Sequence, residues 1–326
     1  MIGRLLARLT YAQARWAKPF GDFNVRWIGA IFRPIRPIKD FLHGKWIGHS
    51  VHALLTDVPI GALTLVIVFD LLNLRQAADI TLAFGVLAMI GAAIAGAADY
   101  SDTDDEPRMV ATVHATLMVI ALVAYLISLA LRWSDPTGDR TLVIALSLVG
   151  YVIVAGAAWI GGHVVYGLGN MINRHAWRFG SKSSWTKLDV THIPENTPTA
   201  AKAGAQTLVV VRQGDTVYAL HSVCAHAGGP LAEGKLVNGC VECPWHQSRF
   251  DLATGHVKQG PSTFDQPSYQ VRAAEDGGWE ARRVIPNGPL EVPAGTPKNA
   301  AAPVGDLVGT GREPRSWRGD RPGHSG

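Results

Sequence analysis

The sequence predicts a membrane α-helical bundle of four transmembrane helices followed by a small all-β domain. Three observations carry that reading. Hydrophobic residues make up 48% of the 326 but are concentrated between about positions 51 and 168, so the average mixes two solvents. Past about Trp185 the long apolar runs give way to short alternating segments separated by glycine turns. The three cysteines, Cys224, Cys240 and Cys243, fall within twenty residues, a crowding that suits a metal site in a reducing compartment better than a secreted disulfide framework. The net charge of +4, from 30 basic against 26 acidic residues, is too small an excess to suggest nucleic acid.

Residues 1–48 read as a basic amphipathic segment. In MIGRLLARLTYAQARW, Ile2, Leu5, Leu6, Leu9 and Trp16 share one helical face and Arg4, Arg8 and Arg15 another, the pattern of a helix lying on an anionic leaflet. Arg8 and Arg15 interrupt the apolar run that a secretory signal requires, so no cleavage is expected.

Residues 49–170 carry the four spans. Residues 80–98 are uncharged, and residues 109–131 and 142–168 are uncharged apart from His114 and His163; each is long enough to cross ~30 Å of hydrocarbon as a helix. The first span, from Val51, contains Asp57, Pro59 and Asp70 around an apolar centre from Pro59 to Phe69. Basic residues set the orientation. Nine precede the first span, and Arg174, Arg178, Lys182 and Lys187 follow the fourth, against Arg75, Arg132 and Arg140 in the first and third loops. The N-terminus, the acidic loop DYSDTDDEPR and everything past the fourth span are therefore expected in the cytoplasm, with the chain in a bacterial inner membrane.

The bundle repeats itself. Val51-His52-Ala53 opens the first span and Val113-His114-Ala115 stands near the start of the third, while AGAA recurs at 95–98 and 155–158, as a duplicated two-helix unit would give. Small residues four apart, Gly91 with Ala95, Ala92 with Gly96 and Ala157 with Gly161, allow close helix packing.

Residues 184–285 read as the β domain. TLVVVR at 207–212 and TVYALH at 216–221, separated by Gln213-Gly214-Asp215, predict a hairpin, and glycines at 234, 239, 255, 277 and 278 divide the rest into short strands. Residues 286–326, rich in Pro and Gly, are expected to be disordered.

Within that domain, Cys224-x-His226 is followed after sixteen residues by Cys243-x-x-His246. Two thiolates and two imidazoles at this spacing suit an iron-sulfur cluster; a zinc site built from Cys224, Cys240, Cys243 and His246 is the other reading. CAHAGGPL with CPWHQSRFD resembles the two cluster-binding loops of the Rieske 2Fe-2S family, and Gly260-Pro261 resembles the start of its covering loop. The resemblance implies that Cys224 and Cys243 hold one iron and that His226 and His246 hold the other. It also implies the ferredoxin-like branch. Gly229 and Trp245 stand where the quinol-oxidising branch has a pair of disulfide cysteines, and Phe250 replaces a tyrosine hydrogen-bond donor, while Ser248 is kept. Losing that donor is expected to lower the reduction potential.

Ionisable residues in the membrane are costly and so are functional candidates. His49, His52, His114 and His163 fall at similar depth at the cytoplasmic end, and His52 with His114 are the repeat-related pair that a haem b would take as axial ligands, with His163 a third candidate. Interfacial hydrogen bonding, another metal or a quinone pocket are the other readings, and Asp57 or Asp99 are expected to fix histidine tautomers or carry protons. His43, His175, His192, His221, His256 and His324 read as surface or loop residues. Residues 48–61 with 98–102 also resemble an uncharacterised family of four-helix bacterial membrane proteins, which implies a fold and no activity.

The expected function is a membrane-bound electron-transfer protein, an oxidoreductase or carrier. It exchanges electrons between a cytoplasmic partner, a ferredoxin reductase-like protein or an oxygenase, and a haem or quinone in the membrane. A redox sensor and the donor subunit of a separate oxygenase are the alternatives. With about forty residues after the β domain, the chain is not expected to carry an oxygenase's own mononuclear iron domain.

Overall fold

The computed structural model describes residues 2–176, 183–275 and 277–285. The expected disorder of 286–326 lies outside these residues, as does His324. The N-terminal segment is helical almost throughout, as α1 (Ile2–Tyr11), α2 (Ala14–Phe32) and α3 (Arg36–Leu42). The apolar stripe foreseen for the first sixteen residues continues far past them. Leu5, Leu9, Phe20, Phe23, Trp27, Ile31, Ile38, Phe41 and Trp46 all stay exposed, a belt of aromatic and aliphatic side chains suited to an interfacial position.

Four helices follow that are long and apolar enough to cross a membrane: α4 (Val51–Leu71), α5 (Arg75–Tyr100), α6 (Asp105–Ser134) and α7 (Thr141–Gly162), the last continuing as a π-helical turn, His163–Gly167. They form two hairpins, α4 on α5 and α6 on α7. Leu63, Val66, Leu82, Val86, Ala121, Tyr125 and Val154 fill the centre, while Leu65, Phe84, Leu87, Val123 and Val152 face outward. An apolar exterior of this kind is what a lipid environment stabilises.

Charges at one end of the spans are paired. At the end of the bundle formed by the 72–74 and 135–140 loops, Arg132, its side chain fully enclosed, reaches Asp70 through Nη1 at 2.8 Å and Nη2 at 2.6 Å, and Asp79 at 3.0 Å. Arg140 binds Asp79 at 2.7 and 2.9 Å. Each arginine is thus neutralised inside the bundle, which makes Asp70 tolerable within the first span.

The C-terminal part is two antiparallel sheets. The larger runs β1 (Thr186–Lys187), β10 (Trp279–Arg283), β9 (Ser268–Ala273), β4 (Thr216–His221), β3 (Gln206–Gln213), β2 (Thr199–Ala203); the smaller runs β5 (Lys235–Val237), β6 (Cys240–Glu242), β7 (Arg249–Asp251), β8 (Val257–Gln259). The predicted hairpin is β3–β4, paired from Leu208↔His221 to Gln213↔Thr216. Because β3 is covered on both faces, its apolar run is continuous. Leu208 and Val210 enter one core, and Val209 and Val211 enter a second that also contains Cys224, Cys243 and Phe250. The cysteine-bearing loops therefore share a core with β3.

Candidate metal centre and its seat on the membrane domain

Two loops converge at one tip of the β domain. The first follows β4: Cys224 N donates to Gly229 O at 2.8 Å and Gly228 N to Cys224 O at 3.0 Å, a closed turn that Gly228 completes with φ of +91°. The second joins β6 to β7: Cys243 N donates to Ser248 O at 2.9 Å and Gln247 N to Cys243 O at 3.1 Å. A third segment, from Gly260, lies over both. Ser262 N donates to Ser248 Oγ at 3.0 Å, and the Gln266 side chain, buried, accepts from Ala225 N at 3.0 Å and donates to Val223 O at 2.6 Å. Gln266 thus fastens the covering segment to the first loop, a role its spacing from the cysteines did not announce.

The tip brings Cys224, His226, Cys243 and His246 together. Both cysteines and His226 are buried, and the two imidazole centres lie 4.9 Å apart at 82°. Two imidazoles meeting one tetrahedral metal at about 2.1 Å would have centres about 5 Å apart. The two sulfurs lie within hydrogen-bonding reach of each other, and the bond from Cys224 holds the Cys243 thiol down to about 6. Backbone N–H groups of His226 and Ala227 point at the Cys224 sulfur, and those of Trp245 and His246 at the Cys243 sulfur. Donors aimed at sulfur favour thiolate, which the site realises at Cys243, whereas the shared bond to Cys243 and burial hold the Cys224 thiol well above its ordinary value. A Cβ on Gly229 would stand 2.8 Å from Cys243 Sγ and 3.0 Å from the Trp245 ring, so glycine keeps the cradle open, and the two positions matched to the family's disulfide are indeed adjacent. Two sulfurs on one side and two nitrogens on the other fit a 2Fe-2S cluster.

The zinc reading loses its fourth ligand. Cys240 lies on β6 with its thiol toward Asn238 O at 3.8 Å, among Asp251, Arg249 and Lys258. Among the described residues no three His, Cys, Asp or Glu side chains gather as a single-ion site.

The tip rests on the membrane domain at three places. His246 Nε2 lies 2.6 Å from Asp104 Oδ2, at the start of α6, which leaves Nδ1 as the nitrogen free for iron. Arg174 Nε donates to His226 O at 3.4 Å. The covering segment is gripped by α3 and the turn after it: Gly260 N donates to Asp40 Oδ1 at 3.2 Å, Arg36 donates to Gly260 O, and Lys45 Nζ donates to Lys258 O at 2.8 Å. A side chain at position 260 would meet Asp40 and His43 at 3.1 Å.

Beneath the seat is a buried polar cluster. Lys39 reaches both oxygens of Asp102 at 2.8 Å, and His43, fully buried, lies 3.1 Å from Asp102 Oδ2. Burial alone would raise the Asp102 pKa; the His43 hydrogen bond and the Lys39 ammonium outweigh it and hold the carboxyl well below the usual range. Ser50, capping α4, donates to Asp99. His43, expected at the surface, belongs here because the middle loop folds over it. His175 and His221 are likewise buried, edge to face at 4.8 Å, whereas His192 and His256 are exposed as expected.

The membrane histidines divide. His52 and His114 meet with ring centres 6.3 Å apart at 79°. Each donates from Nδ1 to a backbone carbonyl of the next helix, His52 to Ala92 O at 2.8 Å and His114 to Ala157 O at 2.7 Å. Each ring lies on a glycine four residues further on, Gly96 and Gly161, where a Cβ would come within 2.9 Å. The geometric repeat is therefore carried by the Ala92/Gly96 and Ala157/Gly161 pairs, not by AGAA. Carbonyls, rather than Asp57 or Asp99, set the tautomers; Asp57 is exposed. His163 stands apart, stacked on Trp159 at 5.6 Å and 3.4 Å from Tyr11 Oη. His49 is also outside the pair and exposed.

Comparison with known proteins matches residues 184–270 to the Rieske [2Fe-2S] domain family and residues 48–173 to a family described as Predicted membrane protein (DUF2231). The anthranilate 1,2-dioxygenase ferredoxin subunit of Burkholderia cepacia is 37% identical over 86 residues, 26% of this chain and 80% of that protein. Ferredoxin CarAc of Metapseudomonas resinovorans is 35% identical over 74 residues, 23% of this chain and 69% of that protein. The solved ferredoxin of carbazole 1,9a-dioxygenase from Nocardioides aromaticivorans IC177 is 30% identical and covers 32% of this chain and 97% of its own, with a TM-score of 0.27. The chain belongs to the Rieske 2Fe-2S family through its C-terminal domain, as an electron carrier of the ferredoxin type joined to a four-helix membrane domain.

Proposed function

We propose that this protein exchanges single electrons between a soluble partner on the cytoplasmic side of a bacterial inner membrane and a redox group in its own membrane domain. Cys224 and Cys243 hold one iron and His226 and His246 the other. A 2Fe-2S cluster so held supplies one-electron chemistry, at a potential above that of an all-cysteine cluster. The surrounding residues bury the ligands, aim N–H groups at the sulfurs and fix His246 for coordination through Nδ1.

The observation that carries this reading is the seating of the histidine side of the site on the membrane domain, through His246–Asp104 and Arg174–His226. The imidazole side of the site, which would hold the second iron, is thus the side placed against the membrane domain. Trp245, 54% exposed in the second loop, remains open to a soluble protein.

For the redox group, a haem b held by His52 and His114 is the finer reading, with quinone as the alternative occupant. His52 and His114 would be the residues to hold such a group, their ring centres lying 6.3 Å apart. Their Nδ1–H groups already serve the carbonyls, so both Nε2 atoms keep a lone pair. His163, tied to Trp159 and Tyr11, is the weakest of the three as an axial ligand.

A second reading, donor to a separate oxygenase, is favoured by the relatives, which are named as ferredoxin components of dioxygenases. It requires the partner to dock beside Trp245 or to displace the seat. The test is a redox titration of the full chain in lipid nanodiscs, followed by absorption and electron paramagnetic resonance, with a water-soluble quinone as acceptor. Haem bands or quinone turnover alongside the cluster signal is the expected result. A cluster signal alone, with no transfer to quinone but rapid transfer to an oxygenase, would replace the first reading by the second. Reporter fusions after residue 180 check the orientation.

A further inference from the structure

We propose that Asp104 is a positioning residue for the metal centre: its carboxylate, supplied by the membrane domain, accepts the Nε2–H of His246, seats the tip on the membrane domain and lowers the centre's midpoint potential. This rests on the reading of His246 as an iron ligand.

Asp104 occupies the N-cap position of α6, where an aspartate ordinarily turns back to accept a backbone N–H of its own helix. Here it makes no such bond. One oxygen goes to His246 Nε2 at 2.6 Å and the other to Arg108 Nη2 at 2.8 Å. Arg108 is in turn fixed, donating from Nε to Thr103 O at 2.9 Å and from Nη1 to Asp22 at 2.6 Å. The carboxylate is therefore held from behind by a cation and aimed at the imidazole. The helix end thus gives up its usual side-chain cap while the carboxylate serves His246.

A carboxylate accepting the outer N–H of a metal-bound histidine makes the ring a stronger donor and fixes its plane. More electron density and a fixed negative charge beside the centre stabilise its oxidised state over its reduced state, which carries one further negative charge. The midpoint potential falls accordingly. Reciprocity then applies: whatever Asp104 does to the potential, reduction does to the strength of the seat. The tip is held more firmly when oxidised and less firmly after accepting an electron, so the reduced tip is the more exchangeable one.

The experiment is the midpoint potential of the full-length protein in nanodiscs, for wild type and for Asp104→Asn, Asp104→Glu and Asp105→Asn. Asp105 carries the same charge one residue away and makes no contact with His246 in the hydrogen bonds and ion pairs described. The expected result is a more positive potential in Asp104→Asn, a value returning toward wild type in Asp104→Glu, and little change in Asp105→Asn. Hydrogen exchange of residues 243–248 should rise on reduction in wild type, and this difference should shrink in Asp104→Asn. An unchanged potential in Asp104→Asn with the cluster signal intact overturns the role of Asp104. Equal shifts in Asp104→Asn and Asp105→Asn reduce it to a general charge effect and also overturn it. No cluster signal in wild type overturns the ligand reading instead, and so separates the two.

Discussion

His226 and His246 meet at 4.9 Å on two hydrogen-bonded loops of the β domain, whereas His52 and His114 meet at 6.3 Å on two helices of the membrane bundle. The loop pair owes its position to a short contiguous pattern that fixes each ligand within three residues of a cysteine. The helix pair owes its position to small residues 40 and 43 positions away, Ala92 and Ala157, which offer carbonyls to Nδ1. The outer nitrogens differ as well. His246 gives its N–H to a carboxylate, whose charge raises ligand basicity, while the helix pair gives its N–H groups to neutral carbonyls, which orient the rings without adding charge. Electrostatic tuning is thus concentrated at the β-domain site, while the membrane pair is oriented by backbone carbonyls.

The largest effect should come from breaking the loop pair's partner sulfur. Cys243→Ser removes a proposed ligand whose sulfur receives two backbone N–H groups, and should abolish the cluster absorbance entirely. Cys240→Ser should leave that absorbance intact, because its thiol points toward Asn238 and not into the tip. Loss of absorbance in both variants would make Cys240 a ligand of the centre as well.

How readily each region could be foreseen follows the same division. That Cys224, His226, Cys243 and His246 lie together was legible because local loops hold them, and β3–β4 because alternation and a Gln-Gly-Asp turn are local signals. The four spans were legible from length and charge alone. Asp104 was hidden: in DYSDTDDEPR it reads as one acidic residue among five, with the signature of a helix cap, and only the docking of the β domain shows that it serves His246. Gln266 was hidden for the same reason, since a buried amide bridging two loops has no periodicity. The AGAA match gave the right number of units but the wrong register, because composition in Ala-rich helices repeats more easily than contact geometry does.

Next in size is the far end of the bundle, where Arg132 and Arg140 pair with Asp70 and Asp79. Arg132→Ala leaves Asp70 and Asp79 without their enclosed partner and should cost about 3–5 kcal/mol. Thermal unfolding in detergent should show a lower Tm with an unchanged cluster potential. A shifted potential would mean that the two ends of the bundle are coupled, contrary to the division drawn between them.

Gly96→Ala and Gly161→Ala test whether the helix pair is symmetric in energy as well as in geometry. Each new methyl comes within 2.9 Å of its histidine ring and should cost about 1–3 kcal/mol by overpacking, in similar measure for both. Unfolding of the two single variants checks this. A large cost in one and none in the other would mean that one half of the repeat can relax and that the two histidines are not equivalent.

The smallest effect concerns the open side of the tip. His246 has a side chain only 10% exposed, against the membrane domain, while its neighbour Trp245 is 54% exposed. Adjacent residues in one loop thus face two different surroundings. An exposed tryptophan beside a buried redox site is the kind of aromatic anchor that dominates small protein interfaces, at about 1–2 kcal/mol when truncated. Trp245→Ala should therefore raise the KM for reduction by a ferredoxin reductase about tenfold, with little change in kcat, because docking is weakened while the route through the loop to Cys243 is kept. Asp104→Asn should do the reverse, moving the potential and leaving this KM alone. If Trp245→Ala leaves the KM unchanged, the soluble partner does not use the open face. Electrons would then enter and leave on the seated side, and the seat would have to open once per electron.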